Sequence, residues 1–203
     1  MEPFETVSGI AAPMLDANID TDVIMPKQFL LGVDRKGLDR GVFHDQRFLP
    51  DGQLNPDFVL NKPKHKGATF LLTGPNFGCG SSREHAVWGL KQMGIRALIG
   101  TSFAGIFFDN CMKNGILAAK IDENELKKLS EVIEKNPGVP LTVDLSQQKI
   151  SVADNLELTF DIDRLRKDTL LMGLDPISAT LQHKQDILNF EKRHLHENPW
   201  LAD

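Results

Sequence analysis

The chain has 203 residues, 41% of them apolar and 25% charged, proportions that suit one globular domain with or without an appended piece and exclude a disordered or fibrous class. No apolar run approaches the roughly 18–20 residues that cross a bilayer, and the opening MEPFETVSG lacks the regions of a signal peptide, so a cytoplasmic chain without membrane contact is expected. A formal charge of −5 argues against general affinity for nucleic acid.

In chain order, the first marked feature is basic. Arg35, Lys36, Arg40, Arg47, Lys62, Lys64 and Lys66, with His44 and His65, read as a solvated face or as a segment that draws in a small anion. TFLLT (69–73), bounded by Gly67 and by Gly74-Pro75, reads as a buried strand. Ala86, Val87, Leu90 and Met93 then recur at helical spacing, so a helix is predicted over Arg83–Met93 with Gly94 ending it. RALIG (96–100) predicts a second strand, FAGIFFDNCMKN from Phe103 a helix stopped at Gly115, and ILAAKI (116–121) a third strand. This order predicts parallel pairing through right-handed crossovers. DENELKKLSEVIEKNPG follows as a helix, started by Asp122 with Glu125 and stopped at Asn136-Pro137-Gly138.

Past Leu141 the period changes. LTVDL, KISVA and LELTF are short alternating runs, the last two joined at Asp154-Asn155, which predicts a hairpin or meander. A short helix is expected around Asp163–Leu171, and another runs from Asp175-Pro176 toward Phe190. The remaining KRHLHENPWLAD reads as a polar, peripheral tail with Trp200 as a docking point, and its HLH as solvated rather than as a metal pair. The expectation is an α/β fold in one domain, with a core of about residues 1–160 and a helical extension over about 161–203.

Between the first strand and its helix lies GPNFGCGSSREHA (74–86). The carboxyl end of a strand is where open α/β sheets bind ligands, and glycines before a helix N-terminus favour an anion. A phosphate loop is excluded by the missing lysine, and a dinucleotide fingerprint by Arg83 in place of its last glycine. Arg83 suits a carboxylate, which it can grip with two parallel hydrogen bonds. A purely structural reading competes: Ser81-Ser82-Arg83-Glu84 has the capping-box pattern. Cys79 reads as a small buried residue, since no base is placed beside it. The two cysteines, Cys79 and Cys111, cannot supply the ligands of a zinc site or an iron–sulfur cluster, so any cluster must come from another chain.

GCGSSREHA, preceded by NF, resembles the G-x-G-S-S-R-E-H-A signature of the mobile swivel domain of the aconitase superfamily. NIDTDVIMPKQFL (18–30), FLPDGQLNPDFVLNKP (48–63) and SFAGIFFDNCMKNGIL (102–117) agree with it in order and spacing. Within the superfamily the chain resembles the small-subunit family of 3-isopropylmalate dehydratase. The resemblance implies an aconitase-type swivelling β/β/α domain with additional short strands and C-terminal helices. It implies a hydro-lyase that isomerises 2-isopropylmalate to 3-isopropylmalate through 2-isopropylmaleate, in leucine biosynthesis. The [4Fe–4S] cluster would sit on a large subunit, with no metal or cofactor bound by this chain.

The resemblance makes Ser81 the base, Arg83 the clamp for a substrate carboxylate and Asp22 an acidic active-site residue. Ser82 and Gly80 would help to hold the substrate, and Asp20 and Thr21 would order the loop, for which an Asx turn is the structural alternative. Each unit by which the Ser81 pKa falls requires about 1.4 kcal/mol of preferential alkoxide stabilisation. Glycine-loop amides, a helix N-terminus and Arg83 are stabilisers of that kind. Ser82 would stand nearer the helix cap when Ser81 faces the substrate. The residues after PKQF match the family's specificity loop, where Leu30-Leu31-Gly32 suits an isopropyl group. Arg35 just beyond keeps a polycarboxylate substrate open. The alternatives are a sister hydro-lyase for citraconate or methylmalate and a non-catalytic carboxylate-binding module.

Overall fold

The computed structural model describes residues 1–30, 35–152 and 156–201. In chain order its elements are β1 (Thr6–Gly9), β2 (Ala11–Met14), α1 (Thr21–Ile24), α2 (His44–Arg47), β3 (Phe70–Thr73), α3 (His85–Gln92), β4 (Ala97–Gly100) and α4 (Gly105–Asn114). They continue with β5 (Leu117–Lys120), α5 (Glu123–Lys135), β6 (Leu141–Asp144), β7 (Lys149–Val152), β8 (Leu156–Thr159), α6 (Arg164–Met172), α7 (Pro176–Leu181) and α8 (Lys184–Glu197).

Two sheets result. One is parallel, in the order β2-β3-β4-β5, and the other is antiparallel, in the order β1-β6-β7-β8. β3 and β4 are the inner strands of the first, and Phe70, Leu71, Leu72, Leu98 and Ile99 are fully buried there, as continuous apolar strands covered on both faces require. In the second sheet β6 and β7 alternate between buried residues and partly or fully exposed ones, the pattern of strands with one covered face. The Asp154-Asn155 turn lies outside the described residues, but Val152 pairs with Leu156 as a hairpin would have it.

The strands and helices expected between Thr69 and Lys135 are present. The α5 start is a capping box in which Asp122 and Glu125 each bond the other's end of the turn. Gly115, in the left-handed conformation, ends α4. β1 and β2 were not apparent in the sequence. β2 reads AAPM, and Pro13 argues against a strand, but β2 lies at the sheet edge where a missing N–H is tolerated.

The C-terminal part differs from expectation in three ways. The helix from Pro176 breaks at Gln182 and His183, whose amides bond carbonyls three residues back, with no glycine or proline to announce it. α8 runs through the segment read as a tail, to Glu197. Trp200 is 71% exposed rather than docked. α6 does pack on the body: Leu170 is buried, its carbonyl accepts from the Phe4 N–H at 2.9 Å, and the Met1 ammonium donates to the Gly173 carbonyl at 2.7 Å. The basic segment is also partly folded in. Arg47 donates to the carbonyls of Asp39 and Val42, Lys64 pairs with Glu134, and His65 is buried. No helix is long and apolar enough to cross a membrane among the described residues.

Candidate active site

Because β2 and β3 are parallel neighbours, the loops that follow them leave the same end of the sheet side by side. The first carries NIDTD and the second GPNFGCGSSRE. They are laced together by the Asn18 N–H to the Pro75 carbonyl (2.9 Å), the Gly78 N–H to the Ile19 carbonyl (2.7 Å) and the Thr21 N–H to the Cys79 carbonyl (2.9 Å). The Asn76 side-chain amide adds a bond to Asn18 at 2.8 Å.

Thr21 closes the seam. Its hydroxyl donates to the Ser81 carbonyl at 3.0 Å and accepts from the Ser81 N–H at 3.1 Å, both of which one hydroxyl can do at once. Asp20 caps α1 by accepting from the Val23 N–H at 2.8 Å, so the DTD stretch is a helix start. Asp22 forms an ion pair with Arg83.

Two glycines make this approach possible. Gly78 has φ +75°, and a Cβ there would lie 2.1 Å from the ring of Phe107. Gly80 has φ +87°, and a Cβ there would face Asp20 at 3.3 Å. Both positions sit in the left-handed region that glycine alone enters freely.

The capping box offered by the purely structural reading of Ser81–Glu84 is not formed. α3 starts at His85, and its N-cap Glu84 makes no side-chain cap bond. The Ser81 N–H is taken by Thr21, and the Glu84 carboxylate accepts from the Asn114 side-chain amide at 2.6 Å instead. The Arg83 N–H bonds back to the Ser81 carbonyl at 2.8 Å, so a tight turn replaces the first helical turn. Ser82 does not cap the helix either. Ser81 and Ser82 are both exposed on this turn, and the N–H groups of Gly80 and Ser82 have no acceptor among the described residues.

Asp20, Thr21, Asp22, Gly80, Ser81, Ser82 and Arg83 thus share one seam. Leu30 is partly buried against the core, while Leu31 and Gly32 lie outside the described residues. Arg35 lies over the Trp88 ring of α3 at 4.0 Å. Gln92 of α3 also accepts from the Leu38 N–H at 2.9 Å and donates to the Arg35 carbonyl. These anchors went unnoticed in the sequence, where Trp88 and Gln92 carry no special signal. Cys79 is half-buried with its thiol toward the Asn18 carbonyl. Cys111 is fully buried, and burial pushes its thiol pKa up.

Residues 1–124 match the Aconitase C-terminal domain family, 127–164 match LeuD_N, and 177–203 match the C-terminal domain of the 3-isopropylmalate dehydratase small subunit. A 3-isopropylmalate dehydratase small subunit of Mannheimia succiniciproducens is 55% identical, over 99% of both chains. The chain belongs to the 3-isopropylmalate dehydratase small-subunit family. A further family member, from Agrobacterium fabrum, is 48% identical over 98% of this chain and all of its own. The crystal structure of 3-isopropylmalate dehydratase (leuD) from Methanocaldococcus jannaschii superposes with a TM-score of 0.66 at 25% identity, covering 92% of this chain and 99% of that one. The dehydratase class and the aconitase-type fold expected from the sequence both hold.

Proposed function

We propose that the chain is the small subunit of a two-chain hydro-lyase that interconverts 2-isopropylmalate and 3-isopropylmalate through 2-isopropylmaleate, in the cytoplasm, for leucine biosynthesis. The observation that carries this reading is the seam that sets exposed Ser81 beside the Asp22–Arg83 pair at the carboxyl end of the parallel sheet. The family membership agrees with it. In this reading the chain is one swivelling domain with a core of about residues 1–160 and a helical extension beyond, and it closes over a large subunit.

The donor set here does not fit a cluster: one thiol is wholly buried, and no group of three His, Cys, Asp or Glu side chains converges among the described residues. In this reading a [4Fe–4S] cluster would sit on the large subunit, where it would supply a Lewis acid for the departing hydroxyl.

This chain supplies the proton transfer and the grip. Ser81, as alkoxide, takes the proton from the methylene carbon of 2-isopropylmalate; that C–H electron pair becomes the double bond as the hydroxyl, given a second proton by an acid on the large-subunit side of the site, leaves as water. Returning the Ser81 proton to the other carbon while hydroxide from a water adds to the first, the water's remaining proton going back to that acid, gives 3-isopropylmalate. The alkoxide draws stabilisation from Arg83 and from the open N–H groups of Gly80 and Ser82, since its own N–H is held by Thr21. Asp22 occupies one arm of the Arg83 guanidinium and leaves its remaining donors for a substrate carboxylate. Leu30 would meet the isopropyl group.

The test is anaerobic reconstitution with the large subunit and a comparison of isopropylmalate with citraconate. Turnover of isopropylmalate by the pair, and of neither substrate by this chain alone, is expected. Preference for citraconate would reject the substrate, and turnover by the isolated chain would reject the shared site.

A further inference from the structure

We propose that Thr21 is a positioning residue for the base, acting by holding both peptide planes that flank Ser81. The inference rests on the reading of Ser81 as base. The Ser81 N–H belongs to the peptide plane before it and the Ser81 carbonyl to the plane after it, and each plane is rigid. Bonding both to one hydroxyl, at 3.1 and 3.0 Å, sets φ and ψ of Ser81 together and leaves χ1 as its one free rotation. Thr21 lies 60 residues away in the chain and is 1% exposed, so its hydroxyl is shielded from water although Ser81 itself is exposed.

The need for such a clasp follows from the loop's composition. Gly78 and Gly80 let the backbone approach a substrate, and the same freedom lets it turn away. Thr21 is itself well fixed. Its N–H is tied to the Cys79 carbonyl at 2.9 Å, and its β-branched side chain is stiff at χ1. Thr21 also stands directly before Asp22, which pairs with Arg83. One residue thereby registers the base against the clamp that holds the substrate.

The experiment uses the holoenzyme reconstituted with the large subunit. Thr21→Val keeps the shape and removes both bonds, and kcat should fall about 10- to 100-fold, the loss expected of a misplacement near 1 Å, with KM within about threefold. Thr21→Ser, which keeps the hydroxyl, should recover most of kcat. Combined with Ser81→Ala, Thr21→Val should cost nothing further, because two residues acting through one atom are not additive. Amide exchange should quicken at Ser81 in Thr21→Val while the Gly78 amide stays protected. If Thr21→Val does not assemble, Thr21→Ala removes the same bonds without an apolar group against the Ser81 backbone and is read identically. Unchanged kcat, an equal loss in Thr21→Ser, or an additive loss in the double variant overturns the role of Thr21. Near-normal turnover by Ser81→Ala overturns the base assignment itself, and this role of Thr21 with it. Quickened exchange with unchanged kcat overturns the role of Thr21 alone.

Discussion

The seam between the loops after β2 and β3 and the arm formed by α7 and α8 are held by different physics. At the seam, residues far apart in sequence exchange backbone bonds around a buried hydroxyl, and little of the geometry is local. In the arm nothing is buried, and Ile177, Leu181, Ile187, Leu188 and Phe190 all stand exposed. Its order comes from helical hydrogen bonds and from the Asp175 cap on the Ser178 N–H. Long-range bonds make the site rigid where chemistry needs it, whereas local bonds leave the arm without a stake in the core.

Mutation should separate the two regions sharply. The largest effect is expected at Ser81: Ser81→Ala should lower kcat about 10²- to 10⁴-fold with little change in Tm, since the Ser81 hydroxyl bonds no protein group among the described residues. Steady-state kinetics of the reconstituted pair beside a thermal melt checks both halves. Next, Leu98→Ala, in a central strand and fully buried, should cost about 2–5 kcal/mol of stability, measured by denaturant unfolding. A Leu98→Ala chain that melts like the unaltered one would mean that the parallel sheet does not anchor the seam.

The same division explains what the sequence disclosed. β3, β4, β5 and the helices between them were legible because apolar period and terminal glycines are local signals. β1 and β2 were not, since their evidence lies in partners at Leu141–Asp144 and Phe70–Thr73. Ser81 and Arg83 stood out by residue type and by family resemblance. The competing capping-box pattern fails because it is local and takes no account of Thr21, which takes the N–H that Glu84 would have used. The break at Gln182–His183 had no local marker at all.

A smaller effect tests the buried edge of the sheet against the arm. His65 is 2% exposed, with Nδ1 3.0 Å from the Ala11 carbonyl of β2. Burial lowers its pKa, more than the Ala11 carbonyl and Glu134 of α5 raise it, and neighbouring Lys64 lowers it further. The unfolded chain then binds the proton more readily than the native one, so stability should be full above about pH 6.5 and decline as pH falls through that value toward the lower native pKa. In His65→Gln this part of the decline should vanish. An unaltered Tm–pH profile in that variant would remove His65 from the account.

The smallest effect belongs to Phe190. Its ring is 56% exposed, stacks on His194 within α8 at 5.3 Å and has Arg193 above it at 5.9 Å. Both of these contacts lie within one helix, and neither reaches the core. Phe190→Ala removes the ring but improves local helix propensity, two terms of a few tenths of a kcal/mol with opposite sign. Stability should move by no more than about 0.5 kcal/mol, while the seam and its chemistry stay as they are. A loss of about 2 kcal/mol or more, the scale of a buried side chain, at equal helix content by circular dichroism, would mean that the arm folds onto the body after all and that the two regions share one cooperative unit.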